Sequence, residues 1–182
     1  MMKNNFPEIQ TERLFLSRLK NSDWEIISFL RSDKKVNEFV KRSSAETKEK
    51  AIEFIQKINT QFENRNSYYW KITEKNKNIM IGSICLWNFS KDKKTAEIGY
   101  DLSPTYQGNG IMNESLKAII EFGFREFNLD LIEAYTHYKN KNSKKLLERN
   151  GFKLVNGKKD EHNTDNIIYA LKKPAANTVY SK

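Results

Sequence analysis

Residues 95–127, TAEIGYDLSPTYQGNGIMNESLKAIIEFGFREF, constrain the chain more than any other stretch, because they place a strand, a glycine-containing loop and an amphipathic helix in direct succession. Residues 95–102 alternate as a strand does, and Pro104 stops further pairing. Gly108 and Gly110, two of the seven glycines, stand in the loop Gln107-Gly108-Asn109-Gly110, where a Cβ would obstruct either the backbone dihedrals or the approach of a ligand. Leu116, Ile119, Ile120, Phe124 and Phe127 then recur at helical spacing and form one apolar stripe. A loop that opens a helix in this way turns several unpaired N–H groups toward one point, with the positive end of the helix dipole behind them. Such a site suits a phosphate or pyrophosphate.

The loop fits neither common nucleotide motif. A Walker loop would continue into Gly-Lys-Ser/Thr, and a dinucleotide fingerprint would place a third glycine where Asn113 stands. Taken alone, the loop is also compatible with an ordinary turn between strand and helix.

Other segments supply context. Gln107-Gly108-Asn109-Gly110-Ile111-Met112 resembles the Q/R-x-x-G-x-G/A loop with which GNAT acetyltransferases hold the pyrophosphate of acetyl-coenzyme A. Met112 stands where a small residue is usual. Ile9-Gln10-Thr11-Glu12-Arg13-Leu14 is similar to the opening strand signature of the ribosomal-protein N-acetyltransferase branch, and Ala96-Glu97-Ile98-Gly99-Tyr100 to its fourth strand. Asn140-Lys141-Asn142-Ser143 and Leu147-Glu148-Arg149-Asn150-Gly151-Phe152 resemble its N-x-x-S and L-E-K-x-G-F segments. The resemblance spans residues 9–171.

A chain of 182 residues has room for one well-buried core, so a single domain is expected over residues 1–174, with 175–182 as a mobile tail beyond Pro174. No apolar run approaches a membrane span and no signal-peptide pattern follows Met1, which predicts a cytoplasmic protein with no membrane partner. Cys85 is the only cysteine, so it reads as a buried structural thiol, and His137 and His162 lack metal-ligand spacing, so no metal is expected. The net charge of +9 raises a nucleic-acid reading, but the lysines are dispersed and no nucleic-acid-binding motif accompanies them. The same charge would attract polyanionic acetyl-coenzyme A or an acidic protein.

Along the chain, residues 13–19 read as a first strand, followed by a helix capped by Asn21 or Ser22 and carrying Trp24, Ile27 and Leu30. Ser43-Ser44-Ala45-Glu46 has the spacing of a capping box for a second helix, with Ala51, Ile55, Ile58 and Phe62 on its buried face. Residues 68–73 and 79–89 read as a hairpin, and 131–136 as the strand after the organising segment. Asn142 or Ser143 then caps a short helix ending at Gly151, and 153–155 and 166–171 read as the last strands.

The resemblance implies an α/β GNAT-like fold: a mixed, mostly antiparallel twisted sheet of about six to seven strands with helices on both faces. It also implies an N-acetyltransferase that moves the acetyl group of acetyl-coenzyme A directly to a primary amine in a ternary complex. The acceptor would be a protein N-terminus or a small molecule, and the protein a monomer or homodimer. On this basis Gln107, Gly108, Asn109, Gly110, Ile111 and Met112 bind pyrophosphate, and Asn140 contacts the pantetheine arm. Acceptor amines are mostly protonated at neutral pH, so a base or water relay is required, and Glu97 is the candidate. Strand alternation puts it opposite Ile98 without saying which face meets a cleft. A backbone N–H near residues 99–102 would meet the oxyanion. The acid that many relatives draw from a tyrosine is replaced at that position by Leu147, leaving Ser143 as candidate, with Tyr100, Tyr106, Tyr135 and Tyr138 open as donors. The alternative is a non-catalytic module that binds coenzyme A or RNA.

Overall fold

The computed structural model describes residues 5–175. The tail expected over 175–182 thus lies, apart from its first residue, outside the described residues. An eight-stranded sheet runs in the order β1-β2-β3-β4-β5-β6-β8-β7. Its strands are β1 (Ile9–Gln10), β2 (Leu14–Arg18), β3 (Tyr68–Glu74), β4 (Met80–Trp87), β5 (Thr95–Leu102), β6 (Leu131–His137), β7 (Lys153–Leu154) and β8 (Asn166–Lys172). The helices are α1 (Trp24–Ser32), α2 (Lys48–Glu63), α3 (Ile111–Arg125) and α4 (Lys141–Arg149). This is the mixed, mostly antiparallel architecture expected, with one strand more. The extra strand is β1, two residues long and too short for alternation to reveal.

Alternation along the strands separates two cores. On one face Leu14, Leu16, Trp70, Ile72, Leu86, Ala96 and Ile98 pack with Ile111, Leu116, Ile119 and Phe124 of α3 and Leu147 of α4. On the other, Tyr69 and Met80 pack with Ile27 and Leu30 of α1 and Ala51 and Ile55 of α2. Ile58 only packs against this second core and Phe62 is half-buried, so α2 buries a shorter stripe than its apolar spacing implied.

Three helix starts differ from the sequence expectations. Residues 21–23 form a 3₁₀ turn in which the Asp23 carboxylate accepts from the Lys20 N–H at 2.7 Å, so neither Asn21 nor Ser22 caps α1. The α2 cap is Thr47, whose side chain accepts from Lys50 N–H, not the Ser43–Glu46 box. Tertiary contacts hold that upstream segment extended: Arg31 donates to Ser43 O at 2.9 Å and the Ala45 N–H donates to Ser32 Oγ at 3.3 Å. Asn140 caps α4, its Oδ1 accepting from Ser143 N–H at 3.0 Å, in place of Asn142 or Ser143. The expected left-handed residue after α4 is present in Gly151, with φ of 83°.

The pairing of β5 decides where a site can form. β4 pairs with it antiparallel from Trp87–Glu97 to Gly82–Leu102. The α3 crossover makes β6 its parallel neighbour, and that pairing covers only Thr95–Leu131, Ala96–Ile132 and Glu97–Glu133. Beyond Glu97 the strands part. Close contact on the β4 side is essential to this: a Cβ on Gly82 would lie 2.5 Å from Asp101 O and 2.8 Å from Leu102 Cδ1. Gly82→Ala should therefore destabilise the fold by about 1–3 kcal/mol, read as a lower urea midpoint; an unchanged midpoint would show that β4 and β5 are not held this tightly.

Candidate active site

The gap between the parted strands opens into a cleft of about 840 Å³, lined by residues of β4, β5, β6, α2 and the segments 39–42 and 158–163. Because Ala96 and Ile98 face the α3 core, alternation turns Glu97, Gly99 and Asp101 to the opposite face, toward α1 and α2. The orientation left open by the sequence is thereby set: Glu97 lines the cleft. Burial pushes its carboxyl up to about 7, and the charges of Asp160 and Glu133 add to this. The Asn88 amide, 3.4 Å away, and Lys158 work in the other direction. Lys158 is itself held at 2.6 Å by Glu133, which fixes the loop after β7 beside the cleft.

Tyr100 points to the other face, yet it lines the same cleft through the strand gap, as do Asn140 and Ser143. Its hydroxyl and that of Ser143 are 2.9 Å apart. Burial pushes the Tyr100 phenol up to about 12, so it stays a neutral donor at physiological pH. Of the four tyrosines left open, Tyr100 is the one joined to Ser143. Leu147 is fully buried in the core, so that position can supply no donor.

Backbone register identifies a second donor. Ser103 N–H donates to Ile81 O at 2.9 Å, which makes the odd-numbered positions of β5 the hydrogen-bonded pairs with β4. The N–H groups of Tyr100 and Leu102 then turn toward β6, past the last β5–β6 pair. Tyr100 N–H therefore projects into the gap.

At the start of α3, Gly108 and Gly110 have φ of 80° and 75°, the left-handed region that favours glycine. Gly110 caps the helix without a side-chain partner, and among the described residues the N–H groups of 108–113 meet no protein acceptor. Ile111 and Met112 bury their side chains in the core, leaving the role of the loop to its backbone. A row of unpaired N–H groups at a helix start fits a pyrophosphate. Gln107 contributes differently from the others: its amide donates to Leu102 O at 3.1 Å and ties the loop to the end of β5.

A set of positioning residues lay beyond sequence reasoning. Glu114, in the first turn of α3, accepts from Arg13 N–H at 2.9 Å, from Arg13 Nε at 2.7 Å and from the Thr11 hydroxyl. Arg13 Nη1 also donates to Asn109 O at 3.0 Å. Burial works to raise the Glu114 carboxyl, but these donors outweigh it and hold it below the usual range. They also neutralise a carboxylate that would otherwise face an incoming anion. Thr11 and Arg13 belong to the opening signature, but no local pattern links them to a glutamate some hundred residues away.

Cys85 lies half-buried at the cleft floor, its Sγ 3.2 Å from where a Cβ on Gly99 would stand. Burial, then the Asp101 charge, pushes its thiol up to about 12, far from a reactive thiolate. His137 is stacked on Tyr138 and its Nδ1 accepts from Lys139 N–H.

Comparison with known proteins places this geometry. Residues 13–153 match the family model described as "Acetyltransferase (GNAT) domain". The chain belongs to the GNAT acetyltransferases and is an acyltransferase. It is 29% identical over 147 residues to "Uncharacterized N-acetyltransferase YoaA" of Bacillus subtilis (strain 168), covering 81% of this chain and 83% of that protein. Its fold is shared with the ribosomal-protein-S5-alanine acetyltransferase from Vibrio fischeri, at a TM-score of 0.78 and 24% identity over 92% of this chain and 100% of the other. A similar likeness, with a TM-score of 0.77 and 20% identity over 91% and 98% of the two chains, holds for RimL, a ribosomal L7/L12 alpha-N-protein acetyltransferase solved with coenzyme A. Among the described residues no helix is long and apolar enough to cross a membrane.

Burial of Glu97 has a measurable consequence. Its folded-state carboxyl lies above the ordinary 4.5, so the folded protein holds this proton more tightly than the unfolded chain does. That contribution to stability is complete below pH 4.5 and is lost as pH rises through about 7. The urea midpoint of the parent should therefore fall relative to that of Glu97→Gln between pH 4.5 and pH 8; a constant difference would contradict the buried setting.

Proposed function

We propose that the protein is a cytoplasmic, acetyl-coenzyme A-dependent N-acetyltransferase acting on a primary amine, the α-amine of a protein N-terminus being the leading acceptor, and that residues 1–174 form its single domain. The observation that carries this reading is the single cleft that has Glu97 on one face of the sheet and Tyr100 with Ser143 on the other. Acetyl-coenzyme A would supply an activated acyl thioester. The N–H groups from Gly108 to Met112 would hold its pyrophosphate, with Gln107 bracing the loop. Asn140 Oδ1 is occupied by the helix cap, so its amide nitrogen is the group that remains for the pantetheine arm.

Glu97 is the proposed base. At a pKa of about 7 it is substantially ionised at neutral pH yet basic enough to take a proton from an ammonium, directly or through a water. Tyr100 N–H is the proposed donor to the carbonyl oxygen as it gains charge. Ser143, with the Tyr100 hydroxyl behind it, is the proposed source of a proton for the departing thiolate. A cysteine-like thiol has a pKa of about 8.5 and needs only a weak acid. Among the acceptors, peptide α-amines are favoured by analogy with RimL, an alpha-N-protein acetyltransferase, a likeness of fold alone.

The test is thiol release from acetyl-coenzyme A with a panel of N-terminal peptides and small amines. Release should depend on the acceptor and rise with pH through an inflection near 7. Glu97→Gln should remove that inflection and slow turnover by roughly 10²–10⁴-fold. Coenzyme A binding with no turnover of any amine would favour a non-catalytic sensor instead.

A further inference from the structure

The cleft has two electrical poles. At one stands Glu97, the proposed base, with Asp160 and Glu133 near it, the last paired with Lys158. The wall formed by α1, α2 and the segment between them carries Arg31, Arg42 and Lys57, and also Lys41, which Asp165 pairs at 2.9 Å. Among the described residues Asp101 is the one carboxylate that ion-pairs with any of Arg31, Arg42 and Lys57, and both its oxygens are occupied. Its Oδ2 accepts from Arg42 Nη1 at 2.8 Å and its Oδ1 from the Ser83 hydroxyl, with a side chain only 6% exposed.

The two arginines differ in what remains to them. Arg42 also donates to Asn37 Oδ1 and to Leu30 O, both at 2.7 Å, and is locked in place. Arg31 lies 3.9 Å over the Phe54 ring and donates through Nη2 to Ser43 O, but its Nε and Nη1 meet no acceptor among the described residues. Burial, then the charge of Arg42, lowers its proton affinity below the ordinary arginine value. One guanidinium charge at this wall thus has no carboxylate ion pair among the described residues, and Lys57, exposed on the cleft lining and likewise without an ion pair there, adds another. A half-buried guanidinium with donors that no protein group accepts among the described residues is stabilised by an incoming anion.

We propose that Arg31, backed by Arg42 and Lys57, is a specificity-determining subsite for a carboxylate of the acceptor, so that the molecule acetylated carries an amine and a carboxylate together. The amine lies at the acidic pole beside Glu97 and the carboxylate at the basic pole. This rests on reading the cleft as the acceptor site. It disfavours neutral amines and polyamines, whose charge finds no partner at Arg31. The carboxylate can belong to an acidic side chain near a peptide N-terminus or to a free amino acid.

Three acceptors separate these cases: alanyl-aspartyl-alaninamide, alanyl-asparaginyl-alaninamide and free aspartic acid. The aspartyl peptide or free aspartate should exceed the asparaginyl peptide in kcat/KM by about tenfold or more, as expected for one charge-assisted contact. Whichever wins identifies the source of the carboxylate. In Arg31→Met the preference should fall toward one, the loss appearing in KM, while Arg31→Lys keeps most of it. A parent that does not discriminate, or a preference that persists in Arg31→Met, would overturn the subsite. Calorimetric binding of the N-acetylated forms of the three compounds to the coenzyme A complex needs no turnover. Arg31-dependent discrimination there, with no amine acetylated, would leave the subsite standing and sink the acetyl-transfer reading. Coenzyme A affinity equal to the parent's verifies that each variant is folded, and Lys57→Met should produce the same loss to a smaller degree if Arg31→Met fails that check.

Discussion

The structure depends on the parting of β5 from β6 after Glu97. Three parallel pairs hold the two strands at one end, and then the ladder stops. A closed sheet would have buried the Tyr100 N–H in a backbone bond and sealed the two faces from each other. The open one gives a cleft reached from both. What keeps it open is asymmetric support. β4 pairs with β5 from Glu97 to Leu102, with a close contact at Gly82, while β6 is held on its far side by seven pairs with β8. Each strand has a full partner outside the gap, so neither needs the other within it.

The same strand sorts the chemistry. Because its side chains alternate, Glu97 and Asp101 fall on the face of α1 and α2, and Tyr100 on the face of α3 and α4. A base candidate and a donor candidate are therefore separated by the sheet and joined by the gap. Their environments push them in useful directions: burial raises the carboxyl to where it exchanges protons near neutrality and keeps the phenol protonated. The unpaired N–H groups at the start of α3 lie shortly after β5, so one continuous stretch carries the proposed anion site and much of the proposed catalytic set.

Much of this was legible in the sequence because it is local. The glycine spacing announced the left-handed dihedrals of Gly108 and Gly110, and the stripe from Leu116 to Phe124 announced the buried face of α3. The capping residues of α2 and α4 were misplaced because short polar residues cluster at both starts, and tertiary contacts choose among them. Arg31 holding Ser43 O is one such contact. The direction of Glu97 depends on which side of β5 meets α3, a fact of packing that strand alternation alone does not carry. Contacts distant in sequence, such as Arg13 with Glu114 or Tyr100 with Ser143, left no periodic signal at all.

In the proposed function the free N–H groups at α3 and the gap at Tyr100 form one binding path for coenzyme A. Backbone amide NMR of the protein titrated with coenzyme A tests it most directly. The largest shifts should fall at the amides of 108–113 together with that of Tyr100, all saturating at the same ligand concentration. Saturation that leaves those amides unmoved, or that moves the loop without Tyr100, would contradict it.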